Sequence, residues 1–210
     1  MGDGFFHNPL YWLARGSVHL GLLAKYRFRV EGREHLPEEG GAVVAANHCS
    51  YLDPPAMSAA VHNRVVHFMA RDTLFSNAVA KWFFTRTGVI ALDRTRGDLG
   101  ALKKAIATLK EGKVIGLFPE GTRSPDGSMG EAKGGIGFLI AKGNVPVVPL
   151  YISGTYEAFP KGAKRFGRSR VRARFGRAIS PEEIRAAMPE KNDYEAVGAL
   201  VMARIRELAG

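Results

Sequence analysis

Short continuous apolar runs recur along the chain, separated by longer segments in which apolar residues return every three or four positions. Runs of the first kind are typical of strands buried on both faces, and segments of the second kind are typical of helices that bury one face. Their alternation predicts an α/β fold with a mixed, largely parallel central sheet flanked by helices. The runs predicted as central strands are residues 42–46, 65–70, 88–92, 113–118 and 145–152.

Two other segments alternate apolar with charged residues, as a strand with one solvent-facing side does. Residues 26–32 predict an edge strand, and residues 171–175 predict a second one-sided strand. The composition indicates no linker after residue 32. We therefore divide the chain into an N-terminal amphipathic helix with an edge strand, residues 1–32, and an α/β domain, residues 33–210.

Capping residues mark where helices are expected to begin. Asp53 precedes Pro54 and is predicted as an N-cap, with the proline at the first helical position. Asp72 or Thr73 predicts the start of the next helix, and residues 180–183 match a capping box. We expect the helix after Asp72 to bury one apolar face, made of Leu74, Phe75, Val79, Trp82 and Phe83.

Residues 9–24 are strongly apolar, but Arg15 and His19 interrupt them. The run falls short of the ~20 residues that a spanning helix needs, so an interfacial amphipathic helix fits better. On that interpretation residues 5–24 form a helix whose Tyr11, Trp12 and leucines face lipid. The basic residues expected to meet anionic headgroups are Arg15, Lys25, Arg27 and Arg29. The alternative is an ordinary first helix that packs on the core.

The chain has 210 residues, of which 46% are hydrophobic, so it can bury a substantial core. Its formal charge of +10 and pI of about 9.9 indicate anionic partners. Nucleic acid, an anionic membrane, phosphorylated metabolites and acidic carrier proteins all remain open on charge alone. Residues 161–177 are rich in Arg and Lys with two phenylalanines between them, yet they match no nucleic-acid-binding motif.

Cys49 is the one cysteine, so the chain cannot form an internal disulfide and a reducing compartment is the simpler interpretation. Spaced Cys and His ligands for structural zinc are missing. Asp3 stands where a signal peptide would carry positive charge. Cys49 follows His48 directly, but adjacent residues rarely aim their side chains at each other, so we expect a buried small residue and not a nucleophile.

His48 and Asp53 follow the predicted strand 42–46. On a continuous helix a spacing of five would place them roughly 140° apart, but a turn would let the carboxylate approach the imidazole. The ring could then accept a proton from a hydroxyl while the carboxylate orients it. The alternative is that Asp53 only caps a helix and His48 makes a local hydrogen bond.

A second group of polar residues follows the strand 113–118. Gly121 lets backbone N–H groups approach a ligand, and Arg123 adds a charged fork that matches phosphate. Glu120 could fix an arginine or bind a hydroxyl. Arg94 and Lys133 lie at other element ends. Since ligands of such sheets bind beyond the carboxyl ends of the strands, we expect an anion site there.

Four segments together resemble motifs of the 1-acylglycerol-3-phosphate acyltransferases, the lysophosphatidic acid acyltransferase family of glycerolipid acyltransferases. They occur in the family's order and cover about residues 40–155. They are Asn47-His48-(x)4-Asp53, Gly88-Val89-Ile90-Ala91-Leu92-Asp93-Arg94, Phe118-Pro119-Glu120-Gly121-Thr122-Arg123-Ser124 and Val145-Pro146-Val147-Val148-Pro149-Leu150. One departure is Ala132, where many relatives have phenylalanine before the lysine.

The resemblance implies transfer of a fatty acyl group from an acyl thioester to lysophosphatidic acid, giving phosphatidic acid for phospholipid biosynthesis. It implies His48 as general base and Asp53 as its partner. The residues implied to bind or position the acceptor phosphate are Arg94, Glu120, Gly121, Thr122, Arg123 and, less directly, Lys133.

The resemblance also implies an acyl-CoA or acyl carrier protein donor and no metal or other cofactor. An anionic membrane surface is the expected partner, at the cytoplasmic face of the cell membrane, with no nucleic acid bound. Acylation of glycerol-3-phosphate or of another lysolipid is the alternative within the enzyme class. A basic nucleic-acid-binding protein is the alternative outside it.

Overall fold

The computed structural model describes residues 8–92, 99–190 and 192–210. Helices and strands alternate along most of this length. The helices are α1 Pro9–Tyr26, α2 Asp53–Ala60, α3 Ala78–Arg86, α4 Leu99–Lys110, α5 Gly134–Gly143, α6 Thr155–Ala158, α7 Pro181–Ala186 and α8 Tyr194–Glu207. The strands are β1 Arg29–Glu31, β2 Ala42–Ala46, β3 Val66–Arg71, β4 Ile90–Leu92, β5 Val114–Leu117, β6 Val147–Ser153 and β7 Arg172–Phe175. Short 3₁₀ turns occupy Arg33–His35 and Asp72–Phe75.

The strands form one sheet in the order β1-β7-β6-β2-β5-β3-β4. Every neighbouring pair is parallel except β6 with β7, so the predicted mixed, largely parallel sheet is confirmed. Because β7 and β1 run against the other five, they begin at the edge where β2 to β6 end. We call this edge the carboxyl edge of the sheet.

Both faces of the sheet are covered, which explains the continuous apolar runs in the sequence. Val44 of β2 packs with α1 and α2 on one face, and Val43 packs with α4, α5 and α8 on the other. A strand buried on both sides needs an apolar residue at every position, since successive side chains point to opposite faces.

Helix α1 packs on α2, and two of its residues satisfy backbone groups beneath it. The hydroxyl of Tyr11 accepts a hydrogen bond from the N–H of Val66, and the ring is buried. The Arg15 guanidinium donates to the carbonyls of Ser58 and Val61 at the end of α2. The prediction that Tyr11 and Arg15 face lipid and headgroups is therefore wrong, because both serve α2 and β3.

The opposite side of α1 carries exposed leucines. Leu13, Leu20 and Leu23 are 63%, 67% and 42% exposed. At 100° per residue they fall on one side of the helix. Within the described ranges, no helix combines the length and the apolar character needed to cross a membrane.

The helix predicted after Asp72 is broken in two. A 3₁₀ turn ends at Phe75, and α3 begins only after Asn77, whose side chain accepts from the N–H of Ala80. The predicted buried face is also wrong in part, since Leu74, Val79 and Trp82 are exposed. Helix α3 leads to β4, a strand of three residues at the edge of the sheet. Because this strand is short, the sheet offers only a small surface on which α3 can bury its apolar side chains.

Candidate active site

The turn after β2 brings His48 and Asp53 together at the carboxyl edge. Asp53 is fully buried, and its Oδ2 lies 2.8 Å from His48 Nδ1. The same oxygen accepts hydrogen bonds from the N–H groups of Cys49 and Ser50, each at 2.7 Å. Asp53 is thus not the predicted N-cap: that position belongs to Leu52, and the carboxylate points back into the turn.

This contact fixes the proton on the imidazole. An ionised carboxylate can only accept, so Nδ1 of the neutral His48 ring carries the hydrogen that is donated to Asp53. The lone pair is then on Nε2. The ring therefore presents a proton acceptor on the side away from the buried carboxylate.

Aromatic packing holds the plane of the imidazole. The His48 ring stacks on Phe118, with centroids 4.1 Å apart, and 16% of the histidine side chain is exposed. Phe68 of β3 stacks parallel to Phe118, at 6.3 Å. A ring held on one side by a carboxylate and on one face by a phenyl group has little rotational freedom, which favours a single orientation of Nε2.

Glu120 joins the loop after β5 to the turn after β2. Its Oε1 accepts from the N–H of His48 at 2.9 Å, and Oε2 accepts from the N–H of Gly130. The His48 carbonyl in turn accepts from the N–H of Ser124 at 2.7 Å. Burial raises the pKa of Glu120, while the two backbone donors oppose that shift. Glu120 therefore contacts backbone groups, and neither Arg123 nor a ligand is needed to explain its position.

Gly121 adopts a positive φ of 66°, which a residue with a side chain rarely takes. A Cβ at this position would also lie 3.1 Å from Cγ of Lys133, the residue before α5. The Lys133 N–H donates to the carbonyl of Pro119 at 2.9 Å. The loop after β5 and the start of α5 are thus packed together, with the Lys133 side chain exposed.

Arg123 offers an unused donor. Its guanidinium lies over the ring of Tyr51, 3.6 Å from the centroid. Among the described residues, its buried Nη1 has no hydrogen-bond partner. A buried guanidinium N–H is costly to leave unpaired, so this atom is available to a further hydrogen-bond acceptor.

The structure brings most of the predicted site residues to one place. His48, Asp53, Glu120 and Gly121 lie in contacting loops, and Arg123 follows directly. Thr122 is exposed on the same turn. Arg94 lies outside the described residues.

Asn47 begins the first motif, where no separate role was predicted for it, and its side chain anchors the site. Its buried side chain donates to the carbonyl of Ile152 at 2.9 Å and accepts from that residue's N–H at 2.8 Å. The Asn47 side chain bonds both backbone groups of one residue, as a neighbouring strand would. It therefore extends the hydrogen bonding between β2 and β6 up to His48. A buried amide directly after an apolar strand was the signal available in the sequence.

Cys49 is buried beneath the turn, with Sγ 3.5 Å from Oγ1 of Thr155. Burial, reinforced by the charge of Asp53, raises the pKa of the thiol to about 12. The thiolate needed for nucleophilic attack is therefore scarce near neutral pH.

Comparisons with known proteins point to one family. A family model described as Acyltransferase matches residues 27–153. The 1-acyl-sn-glycerol-3-phosphate acyltransferase LPAT1 (chloroplastic) of Arabidopsis thaliana is 32% identical over 162 residues, 76% of this chain and 44% of that one. The 1-acyl-sn-glycerol-3-phosphate acyltransferase of Bacillus subtilis is 27% identical over 95% of this chain and 96% of its own.

Among solved structures, the crystal structure of the 1-acyl-sn-glycerophosphate (LPA) acyltransferase PlsC of Thermotoga maritima superposes with a TM-score of 0.77. It is 27% identical, and the match covers 98% of this chain and 80% of that one. The chain spans less than half the length of the plant relatives it matches.

Proposed function

The chain belongs to the acyltransferase family, and from that premise we propose that it transfers a fatty acyl group from an acyl thioester to the free hydroxyl of lysophosphatidic acid. The product is phosphatidic acid. The observation that carries this proposal is the 2.8 Å contact between His48 Nδ1 and the buried Asp53, which leaves Nε2 as a proton acceptor. The names of the relatives support the choice of acceptor.

In the proposed mechanism, His48 Nε2 removes the proton from the glycerol hydroxyl as that oxygen attacks the thioester carbon. Asp53 stabilises the imidazolium that forms. The tetrahedral oxyanion collapses and the carbon–sulfur bond breaks. The imidazolium then returns the proton to the leaving thiolate. Backbone N–H groups near Gly121 are the proposed donors to the oxyanion.

The acceptor phosphate is proposed to bind on the other side of the same loop. Arg123 supplies the unpaired Nη1, and Thr122 and Lys133 are exposed beside it. Arg94 is kept as a further phosphate ligand on the basis of the motif alone. Glu120 is assigned a different task from phosphate contact, since a carboxylate repels phosphate and this one already holds the His48 N–H.

The direct test is activity on a panel of substrates. Purified protein is given lysophosphatidic acid, glycerol-3-phosphate or a neutral lysolipid, each with acyl-CoA and with acyl carrier protein. We expect acylation of lysophosphatidic acid to be the fastest. Preference for glycerol-3-phosphate would replace the acceptor, and no transfer to any of them would refute the proposal.

The role of His48 is tested by its replacement with alanine. We expect turnover to fall by ~10²–10⁴, the usual share of a positioned general base, with an unchanged circular dichroism spectrum. His62→Ala is the matched control, because His62 is exposed beyond the end of α2. Near-normal turnover in a folded His48→Ala protein would remove the general-base assignment.

We also propose that this chain is a peripheral membrane protein at the cytoplasmic face of the membrane, where both lipid substrates reside. The exposed leucines of α1 would be the side chains that contact the bilayer. Deleting the segment would also remove buried Tyr11, so substitution is the cleaner test. Leu13, Leu20 and Leu23 are changed together to glutamine, with exposed Leu99→Gln on the other face of the sheet as the control. We expect co-sedimentation with anionic vesicles to drop only in the triple variant. Equal sedimentation would leave α1 as a packing helix.

A further inference from the structure

A groove of about 550 Å³ opens between the end of α1 and the segment that leads into β7. Its walls are mainly basic. The lining residues are Lys25, Arg27, Gly167, Arg168, Ser169 and Arg170. Because β1 and β7 begin at the carboxyl edge, the groove opens at the same edge of the sheet as His48.

The positive charge of the groove is uncompensated. In the described part of the chain, none of its four cations lies within 4 Å of a carboxylate. Nearby arginines behave differently: Arg174 pairs with Glu31, and Arg177 pairs with Glu183. A concave cluster of unpaired guanidinium and ammonium groups attracts a ligand with several negative charges.

The groove wall is built by close backbone packing. A Cβ on Gly154 or on Gly167 would overlap a backbone carbonyl oxygen of the segment that packs against it. The Ser169 hydroxyl donates to the carbonyl of Gly154 at 2.6 Å, and the N–H of Val171 donates to the carbonyl of Tyr26 at 3.0 Å. The segment is therefore held in place before any ligand arrives, which lowers the entropic cost of binding.

Arg27 occupies a backbone position that normally belongs to glycine. It ends α1 in the left-handed region, with φ 49° and ψ 45°. Glycine or asparagine is the common residue at such a helix end, and a larger residue is strained. The chain therefore carries an arginine side chain into the groove at a cost to the backbone, which indicates a use for that side chain.

A row of aromatic rings connects the groove with the candidate active site. Lys25 Nζ lies 4.7 Å from the ring centroid of Phe166, and that ring lies 4.4 Å from Phe159. Phe159 is 5.5 Å from Tyr51, the ring beneath the Arg123 guanidinium. An extended, partly apolar ligand can lie along these rings with its charged end in the groove.

We propose that this groove binds the phosphorylated nucleotide end of a coenzyme A thioester, with the pantetheine arm lying along the aromatic row toward His48. This inference rests on the proposed acyl transfer. A volume of this size suits a small molecule, whereas a bilayer is contacted by protruding side chains. An acidic carrier protein would meet these cations with carboxylates on its surface, whereas the concave shape of the groove favours a ligand that enters it.

The experiment compares three donors with the same acyl chain: acyl-CoA, acyl-dephospho-CoA and acyl-pantetheine, which carries no phosphate. The variants are Arg27→Gly and the double change Arg168→Gln with Arg170→Gln. The control is Lys142→Gln, in α5 on the opposite face. We expect the KM for acyl-CoA to rise about tenfold or more in both variants, the loss expected for hydrogen bonds to charged groups. The KM values for acyl-pantetheine and for lysophosphatidic acid should not change.

Two readouts do not depend on turnover. Adenosine 3′,5′-bisphosphate should bind the wild-type protein and the Lys142→Gln control, and should bind both groove variants at least tenfold more weakly. Arg27→Gly should unfold at the same temperature as wild type or higher, since glycine relieves the left-handed strain. A lower unfolding temperature in this variant would make Arg27 a structural residue.

Other outcomes overturn the proposal in distinguishable ways. Equal changes in KM for all three donors would show that the groove does not hold the phosphates. Loss of anionic vesicle binding with an unchanged donor KM would assign the groove to the membrane, and activity with carrier protein alone would assign it to that protein. In each of these cases acyl transfer by wild type would still support the proposed function. Conversely, bisphosphate binding without transfer from any donor would refute the proposed function and leave the anion site.

Discussion

Replacement of Asp53 by asparagine exchanges one of the two carboxylate oxygens for an NH₂ group. The position that Oδ2 occupies in the wild type is then taken either by the amide oxygen or by the NH₂ group. Three donors converge on Oδ2 in the wild type: His48 Nδ1 and the N–H groups of Cys49 and Ser50. If the amide oxygen takes the two backbone donors, it loses the charge that strengthened them. If the NH₂ group faces His48 instead, the ring must accept at Nδ1 and place its proton on Nε2.

The expected loss of activity is therefore larger than the loss of stability. A histidine held in the wrong tautomer loses ~10⁴ in turnover in the serine protease triad, and we expect a similar loss here because His48 Nδ1 contacts Asp53 in the corresponding way. The free energy of unfolding should fall by about 1–3 kcal/mol, the cost of leaving one buried polar group mismatched. Volume is nearly conserved, so the core around α2 should keep its packing.

The assay is steady-state acyl transfer to lysophosphatidic acid beside urea unfolding of the same preparation. The variant should be folded and lose kcat with little change in KM for the acceptor. Asp53→Ala is the companion variant: it removes the acceptor altogether and should lose more stability than asparagine does. If Asp53→Asn kept within tenfold of wild-type kcat while folded, the carboxylate would not set the His48 tautomer, and the general-base geometry would be wrong.

Two further predictions concern the loop after β5. Arg123→Ala should lower kcat/KM for lysophosphatidic acid by ~10–100-fold, the scale of hydrogen bonds to charged groups, and leave kcat/KM for a neutral acceptor unchanged. Arg123→Lys should restore only part of the lost kcat/KM, because lysine lacks the planar fork. Equal losses on both acceptors would remove the phosphate role. Glu120→Gln tests a pH effect whose direction follows from the raised pKa of this carboxyl: the folded state binds the Glu120 proton more tightly than the unfolded state, so this group favours folding below its unfolded pKa and loses that contribution as pH rises through the folded value. The difference in unfolding free energy, wild type minus Glu120→Gln, should therefore decrease as pH is raised from below about 4.5. A difference that increased with pH would contradict the raised pKa of Glu120.

The sequence by itself determined the elements of the sheet and the location of the polar loops. The continuous apolar runs at residues 42–46 and 114–118 predicted buried strands, because such runs are typical of strands covered on both faces. The polar residues that follow them had to meet at one edge, since parallel strands end on the same side. This is why His48 and Glu120 could be assigned to one site before any coordinates.

Only the tertiary structure decided what each side chain contacts. Periodicity shows that a helix has an apolar side and a polar side, but it does not reveal what covers them. Trp82 is exposed although its spacing is that of a core residue, and Arg15 serves α2 although it interrupts an apolar segment.

The contacts that build the site depend on strand order in the same way. Glu120 reaches the His48 N–H across 72 positions of sequence, and the basic groove combines the end of α1 with residues that precede β7. Local sequence determines φ, ψ and burial period, because those depend on near neighbours. Which distant groups share a hydrogen bond or a groove follows from the order and direction of the strands, and that order is fixed only when the whole sheet packs.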